Sequence, residues 1–185
     1  NVVWAGAASG GLWKSTTGGV GLNAWTLVNT GYNTLSVSAI AIDASNPNRM
    51  YIGTGEISLY HRPLNGVVGA RASYGMGVLV STDGGATWTQ TGLTFTFPQI
   101  TAVERLVINP MNTSTLYAAT SEGVYKSTDA GANWSLSHAV LMAMDLVINP
   151  ADTTVLYASH GSAESSPNPG LYKSTDAGST WTQLT

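Results

Sequence analysis

The chain has 185 residues, 43% of them apolar and only 9% charged, with seven basic against ten acidic side chains and a net charge of -3. That is enough apolar chain to bury a core and remove roughly 70% of the extended surface from water, which excludes a disordered protein. The acidic balance supplies no basic face for nucleic acid or an anionic membrane, and the absence of cysteine removes disulfides, thiolate metal sites and cysteine nucleophiles.

Asn1-Val2-Val3-Trp4 reads as the middle of a domain rather than as a leader, and no apolar run is long enough to span a membrane. With 21 glycines and seven prolines, the pattern is one of short strands and frequent turns. Residues 2–6, 11–15 and 24–28 read as three strands, with Ser15-Thr16-Thr17-Gly18-Gly19 between the second and third and Trp25 beyond. The next segment predicts strands at 39–43, 50–54, 77–82 and 87–91. Two further sets follow, at 104–108, 116–120, 123–128 and 133–137, then at 144–148, 156–160, 170–175 and 180–184.

Each complete set carries Ser-x-Asp-x-Gly-x-x-Trp between its third and fourth strands. The copies are Ser81, Asp83, Gly85 and Trp88, then Ser127, Asp129, Gly131 and Trp134, then Ser174, Asp176, Gly178 and Trp181. A fixed recurrence of this kind identifies a repeat architecture. Asp accepts N–H groups two residues on, Ser supports the same turn, Gly takes positive φ, and Trp begins the fourth strand and covers the hairpin with an apolar ring. In the leading copy Thr17 replaces the Asp, so the hairpin is kept and the carboxylate acceptor lost. Asn46-Pro47, Asn109-Pro110 and Asn149-Pro150 mark the turn between first and second strands of each set. Lys14, Lys126 and Lys173, one residue before the Ser, are expected to lay their stems on apolar surface and leave their ammonium groups in water.

Repeated four-stranded meanders predict an all-β fold, a partial β-propeller of four-stranded antiparallel blades, with three complete blades plus three strands of another. Residues 1–185 then form one partial propeller, with an incomplete blade at 2–30, a blade with a long insertion at 37–92, and blades at 103–138 and 144–185. Remaining blades would come from the same polypeptide or another chain.

On these motifs the chain resembles the Asp-box, or bacterial neuraminidase repeat, superfamily, and more narrowly secreted bacterial propellers of the sortilin and photosystem-assembly-factor type. The phrases Ala5-Gly6-Ala7-Ala8-Ser9-Gly10-Gly11-Leu12-Trp13-Lys14 and Tyr51-Ile52-Gly53-Thr54-Gly55-Glu56 carry that narrower likeness. The resemblance implies a propeller whose Asp boxes are structural turns away from the ligand face. It is compatible with sialidases, xyloglucanases and nonenzymatic receptors alike, so no family catalytic residue is carried over.

A meander places the Asp boxes at one rim and the second-to-third turns and blade-to-blade links at the other. The second rim varies in length: Tyr117 to Tyr125 is eight positions, Tyr157 to Tyr172 fifteen, and Tyr51 to Leu79 twenty-eight. The long insertion supplies the candidate ligand contacts Tyr60, His61, Arg62, Arg71 and Tyr74. Glu56, Glu104 and Asp145 are candidate catalytic carboxylates, since two of them at a suitable separation would support glycoside hydrolysis, although Glu104 reads equally as a partner of Arg105. His61, His138 and His160 show no metal-binding spacing. No cofactor is predicted. Calcium would have to be held by Asp side chains and backbone carbonyls, without a loop of alternating acidic ligands.

The leading functional expectation is a secreted or cell-surface, bacterial module that recognises a protein or a glycan without catalysis. The alternatives are part of a carbohydrate-active glycoside hydrolase and a structural subunit completed by another chain.

Overall fold

A computed structural model describes residues 1–33, 36–56, 73, 75–161 and 166–184. The first sheet is β1 (Val3–Ala7), β2 (Gly11–Ser15) and β3 (Thr26–Val28). The second is β4 (Val37–Ile42), β5 (Met50–Thr54), β6 (Gly77–Ser81) and β7 (Thr89–Thr94). The third is β8 (Val103–Ile108), β9 (Leu116–Thr120), β10 (Gly123–Ser127) and β11 (Ser135–His138). The fourth is β12 (Ala143–Ile148), β13 (Leu156–His160), β14 (Gly170–Ser174) and β15 (Thr182–Leu184).

Each sheet is an antiparallel meander with strands in chain order, one of three strands and three of four, as the repeat predicts. They are open blades of a partial propeller. The fourth strands start later than expected, because Trp88, Trp134 and Trp181 stand immediately before β7, β11 and β15 rather than within them. The hairpin turn uses those positions first.

The Asp box is built differently from the sequence expectation. Asp83 Oδ1 accepts the N–H of Ala86 at 3.0 Å and of Thr87 at 2.9 Å, and Oδ2 accepts the Thr87 hydroxyl at 2.6 Å, so it reaches four residues on. Ser81 Oγ donates to Asp83 at 2.8 Å and accepts the Gly85 N–H at 2.8 Å. Asp129 and Asp176 repeat the pattern with Asn133 and Thr180. In the leading sheet Ser15 still accepts the Gly19 N–H at 2.8 Å, while Thr17 Oγ1 donates to Val20 O at 2.9 Å and lies 3.3 Å from Ser15 Oγ. The hairpin survives there without a carboxylate.

Side chains sandwiched between sheets form the core. Leu12, Val37, Met50, Ile52, Leu79 and Trp88 pack between the first and second sheets. Tyr51, Val78, Val103, Leu116 and Ala118 do so between the second and third, and Tyr117, Val124, Leu146 and Leu156 between the third and fourth.

A polar lock accompanies this packing. The residue after each box Asp has positive φ, 70° at Gly84, 58° at Ala130 and 55° at Ala177. Its N–H bonds within its own blade, Ala130 to Ser114 O and Ala177 to Thr154 O, both at 2.8 Å. Its carbonyl is taken by the preceding blade: Tyr51 Oη donates to Ala130 O at 3.0 Å, Tyr117 Oη to Ala177 O at 2.9 Å, and Lys126 Nζ to Ala177 O at 2.7 Å. Lys14 Nζ reaches Gly84 O at 3.5 Å and lies 4.8 Å from the Trp4 ring centre. The lysine ammonium groups are therefore not simply solvated. They sit over an aromatic ring, and those of Lys14 and Lys126 bond the next blade.

The box glycine serves the same junction. A Cβ on Gly85, whose φ is 81°, would lie 2.3 Å from the Trp4 ring. Tyr117 is fully buried and its phenol is pushed up to about 12 by that burial. Replacing Tyr117 by Phe removes one lock bond and leaves the ring, and a loss of about 1 kcal/mol in urea unfolding is expected.

The turn between β4 and β5 adds a contact that the sequence reading overlooked. Arg49 donates to Asp43 within the turn and to Thr113 Oγ1 in the next blade. Burial opposes ionisation of Asp43, but hydrogen bonds from Ser45 and Arg49 outweigh it and hold the carboxyl well below the usual carboxylate range. The dipeptide Asn46-Pro47 marked this turn, but nothing in its spacing announced the ion pair.

Candidate functional site

The inner strands β4, β8 and β12 carry a β-bulge at one shared position. Val37 pairs with Thr54 and Ala39 with Gly53, leaving Ser38 as the extra residue. Glu104 is the extra residue between Val103 and Arg105, and Met144 between Ala143 and Asp145. Such bulges re-aim side chains beside functional openings. Here they place Ala39, Arg105 and Asp145 at equivalent ladder positions on consecutive inner strands.

Arg105 Nε and Asp145 Oδ1 stand 3.5 Å apart, with side chains 55% and 60% exposed. Asp145 Oδ1 also accepts the N–H of Leu146 at 2.9 Å. Of the sequence candidates, the structure thus joins Arg105 to Asp145 across two blades, with Glu104 adjacent on β8.

Glu56 follows β5 at the base of the long insertion. That base is tied at several points: Glu56 N–H donates to Ser73 O at 2.8 Å, Gly75 N–H to Thr101 O at 2.8 Å, and Ser36 Oγ to Gly55 O at 2.9 Å. Tyr60, His61, Arg62, Arg71 and Tyr74 lie outside the described residues.

Two of the clefts among the described residues open between sheets. One of about 470 Å³ lies at the Asp-box rim, lined among others by Lys126, Asp129, Asn133, Trp134 and Ser179. Its polar groups already serve the fold, since Lys126 holds Ala177 O and Asp129 accepts Ser127 and Asn133. The other, of about 430 Å³, is lined by the β1–β2 turn at Ser9 and Gly10, by Leu12, Leu27 and Val28, and by Tyr32 and Val37. It lies at the opposite rim, where variable loops collect, and offers an aromatic ring beside apolar and backbone groups. The sequence reading missed it because Tyr32 falls in a link between blades, outside every repeated block.

His138 and His160 meet at the junction of the third and fourth sheets, with ring centres 4.9 Å apart. Trp181 stacks on His138 at 5.2 Å, and Tyr172 contacts both imidazoles. His160 Nδ1 lies 3.3 Å from Leu141 O, while the Nε2 atoms of both rings are buried with no hydrogen-bond partner among the described residues. Among the described residues no group of three or more His, Cys, Asp or Glu side chains is arranged to hold a metal ion, and no helix is long and apolar enough to cross a membrane.

Residues 76–185, more than half of the chain, match the family described as Sortilin, neurotensin receptor 3. The chain belongs to this family of propeller proteins. Its curated sequence relatives are enzymes. It is 30% identical to a xyloglucanase of Hypocrea jecorina over 146 residues, covering 72% of this chain and 16% of the relative. It is 36% identical to the xyloglucanase Xgh74A of Acetivibrio thermocellus over 110 residues, 56% of this chain and 12% of the relative. The chain thus spans only a small part of the curated relatives it matches.

Among solved structures, the GH74 enzyme of Niastella koreensis superposes with a TM-score of 0.69 at 24% identity, over 98% of this chain and 27% of that one. YCF48 from Cyanidioschyzon merolae superposes with a TM-score of 0.55 at 14% identity, over 98% and 55%. At those identities they establish the fold, a propeller related to GH74 enzymes and to other repeat proteins.

These relatives correct three expectations. The narrower likeness to sortilin-type and assembly-factor-type proteins holds for the propeller repeats, which are shared with GH74 xyloglucanases, and is not specific. The noncatalytic recognition module is overturned by the xyloglucanases, and with it the leaning against an enzyme. Physically, the Asp-box signal dominated the reading, and it encodes blade junctions without reporting chemistry at the opposite rim.

Proposed function

We propose that the chain is part of a glycoside hydrolase acting on a xyloglucan-type polysaccharide. The observation that carries this reading is the 30% identity over 146 residues to a xyloglucanase, covering 72% of this chain. Glycoside hydrolysis requires two carboxyl groups flanking the bond, one donating a proton and one acting as base or nucleophile. In this reading the ion-paired, solvent-facing Asp145 supplies a carboxylate to the inner-strand rim, and Glu104 or Glu56 is its partner.

The long insertion, with Tyr60, His61, Arg62, Arg71 and Tyr74, provides contacts to sugar hydroxyls and faces, and Tyr32 offers a further surface in the 430 Å³ cleft. A polymer of this size meets its enzyme outside the cell, which is consistent with a secreted or surface-borne protein. Remaining blades of a longer polypeptide would complete the propeller.

The test is release of reducing ends from xyloglucan by the full polypeptide. Asp145→Asn is expected to lower kcat by at least about 100-fold with folding intact, the size of effect general acid–base groups show. An unchanged rate would remove Asp145 from the chemistry. Failure of the unsubstituted protein to cleave xyloglucan would defeat the hydrolase reading itself.

A further inference from the structure

The three blade junctions are not filled alike toward the loop rim. In the second, Phe95 meets Tyr125 edge to face, with ring centres 6.1 Å apart. In the third, His138 lies against Tyr172 at 4.6 Å and Trp181 at 5.2 Å. The first junction carries smaller side chains at the matching positions. Leu79 stands two residues before its box Ser, as Tyr125 and Tyr172 do. Val28 pairs with Leu12 where His138 pairs with Val124, and Leu12 and Val124 each stand three residues before theirs.

The outer strands differ in the same sense. β11 carries a register shift, and Ser137 there donates to Gly178 O in the next Asp box. β7 is irregular too, and its Gly92 N–H donates to Gly131 O at 2.8 Å. β3 pairs with β2 without a register shift, and among the described residues it makes no such bond to the box at Gly85.

Between these sheets lies the cleft of about 430 Å³, within the roughly 300–1,000 Å³ of small-molecule pockets. Tyr32 closes one side, its hydroxyl accepting the Gln90 N–H at 3.2 Å. Leu12, Leu27, Val28 and Val37 supply apolar wall, and no described side chain lining the cleft is charged. Thr30 is buried at the link end, where its hydroxyl contacts the N–H and carbonyl of Tyr32, both at 3.4 Å. Bonds that long are weak, so the hydroxyl keeps capacity for a closer partner.

We infer that this cleft receives one uncharged phenolic ring, its faces against Tyr32 and the leucine and valine side chains and its hydroxyl at Thr30. The other two junctions fill this level with aromatic rings of the chain itself, and offset or edge-on ring pairs are favoured at such separations. An ion would meet no opposite charge in the cleft. A sugar would set most of its hydroxyls against apolar groups that cannot bond them, at a cost for each one left unmet. Tyr32 is thereby the wall of a ring pocket as well as a surface at the rim, and this holds whether or not the chain cleaves polysaccharide.

The test is titration of the protein with 4-methylphenol, followed by NMR at the backbone amides of Gly10, Leu27, Thr30 and Tyr32. Saturable shifts confined to the cleft are expected, with a xyloglucan oligosaccharide leaving the same amides in place. The anion 4-hydroxybenzoate should bind at least about 10-fold more weakly, because its carboxylate would lie unpaired against apolar wall. Val28→Phe puts a ring where the third blade has one, and should abolish the shifts without lowering Tm. Leu27 is 57% exposed, so Leu27→Ala keeps the fold and should weaken binding about 3–10-fold, which decides the matter if the Phe variant does not fold. Three results would overturn the inference: no saturable shift with 4-methylphenol, binding undiminished in the substituted proteins, or the oligosaccharide moving these amides and displacing the phenol, which would give the cleft to sugar.

Discussion

Lowering the pH from 7 to 4.5 is expected to remove about 2–3 kcal/mol of folding stability through one histidine pair. Burial lowers His138 from 6.5 to about 4, with His160 beside it reinforcing the shift, and burial lowers His160 despite the opposing carbonyls of Leu141 and Val140. Both folded-state values lie below the unfolded one. The unfolded chain therefore takes up protons first, so this stability is complete above about pH 6.5 and drains away as the pH falls toward 4.

The carboxylates act in a separate window. Hydrogen bonds from Thr87 and Ser81 bring Asp83 down to about 2, and those from Thr180 and Ser174 do the same for Asp176, so their contributions are lost only as the pH falls from the ordinary carboxylate range toward 2.

Urea unfolding at pH 7 and 4.5 checks this. His160→Thr restores the residue that stands at the same position in the other complete blades, Thr54 and Thr120, whose hydroxyls donate to Gly77 O and Gly123 O. Combined with His138→Phe, it should flatten the dependence between pH 6.5 and 4.5. Equal stability of the unsubstituted protein at the two pH values would refute the argument, as would an undiminished loss in the double variant. Near-ultraviolet circular dichroism adds a local readout, since Trp181 stacks on His138 and should lose its ordered environment with the imidazole.

The architecture was legible because its signal is local and repeated. Ser81-to-Trp88 and its two relatives fix a hairpin, and the interval between copies fixes four strands. What lay beyond the sequence is what passes between blades. Ala130 and Ala177 look unremarkable as residues, yet their left-handed backbone aims the carbonyls that Tyr51, Tyr117 and Lys126 hold. Arg105 and Asp145 are forty positions apart and meet only because bulges in β8 and β12 align them. The same limit explains the functional correction. Turn chemistry is written in neighbouring residues, whereas the opposite rim is built from loops whose lengths carry no period.

Trp88→Ala is expected to cost about 3–5 kcal/mol, the range for removing a buried aromatic side chain. Trp88 is only 6% exposed and packs with Leu12, Val37, Met50, Ile52 and Leu79 between the first and second sheets. Its Nε1 is buried with no hydrogen-bond partner among the described residues, so the loss is one of packing, not of a bond. Trp134 and Trp181 differ, because their Nε1 groups donate to Gly131 O and Ser137 Oγ. Trp88→Phe should therefore recover a large part of the stability, since a ring still fills the space and the buried N–H is gone. Asp83→Asn, at an exposed turn, keeps an amide oxygen for the Ala86 and Thr87 N–H groups and should lower Tm far less than Trp88→Ala. Equal midpoints for the alanine and asparagine variants would contradict that ordering.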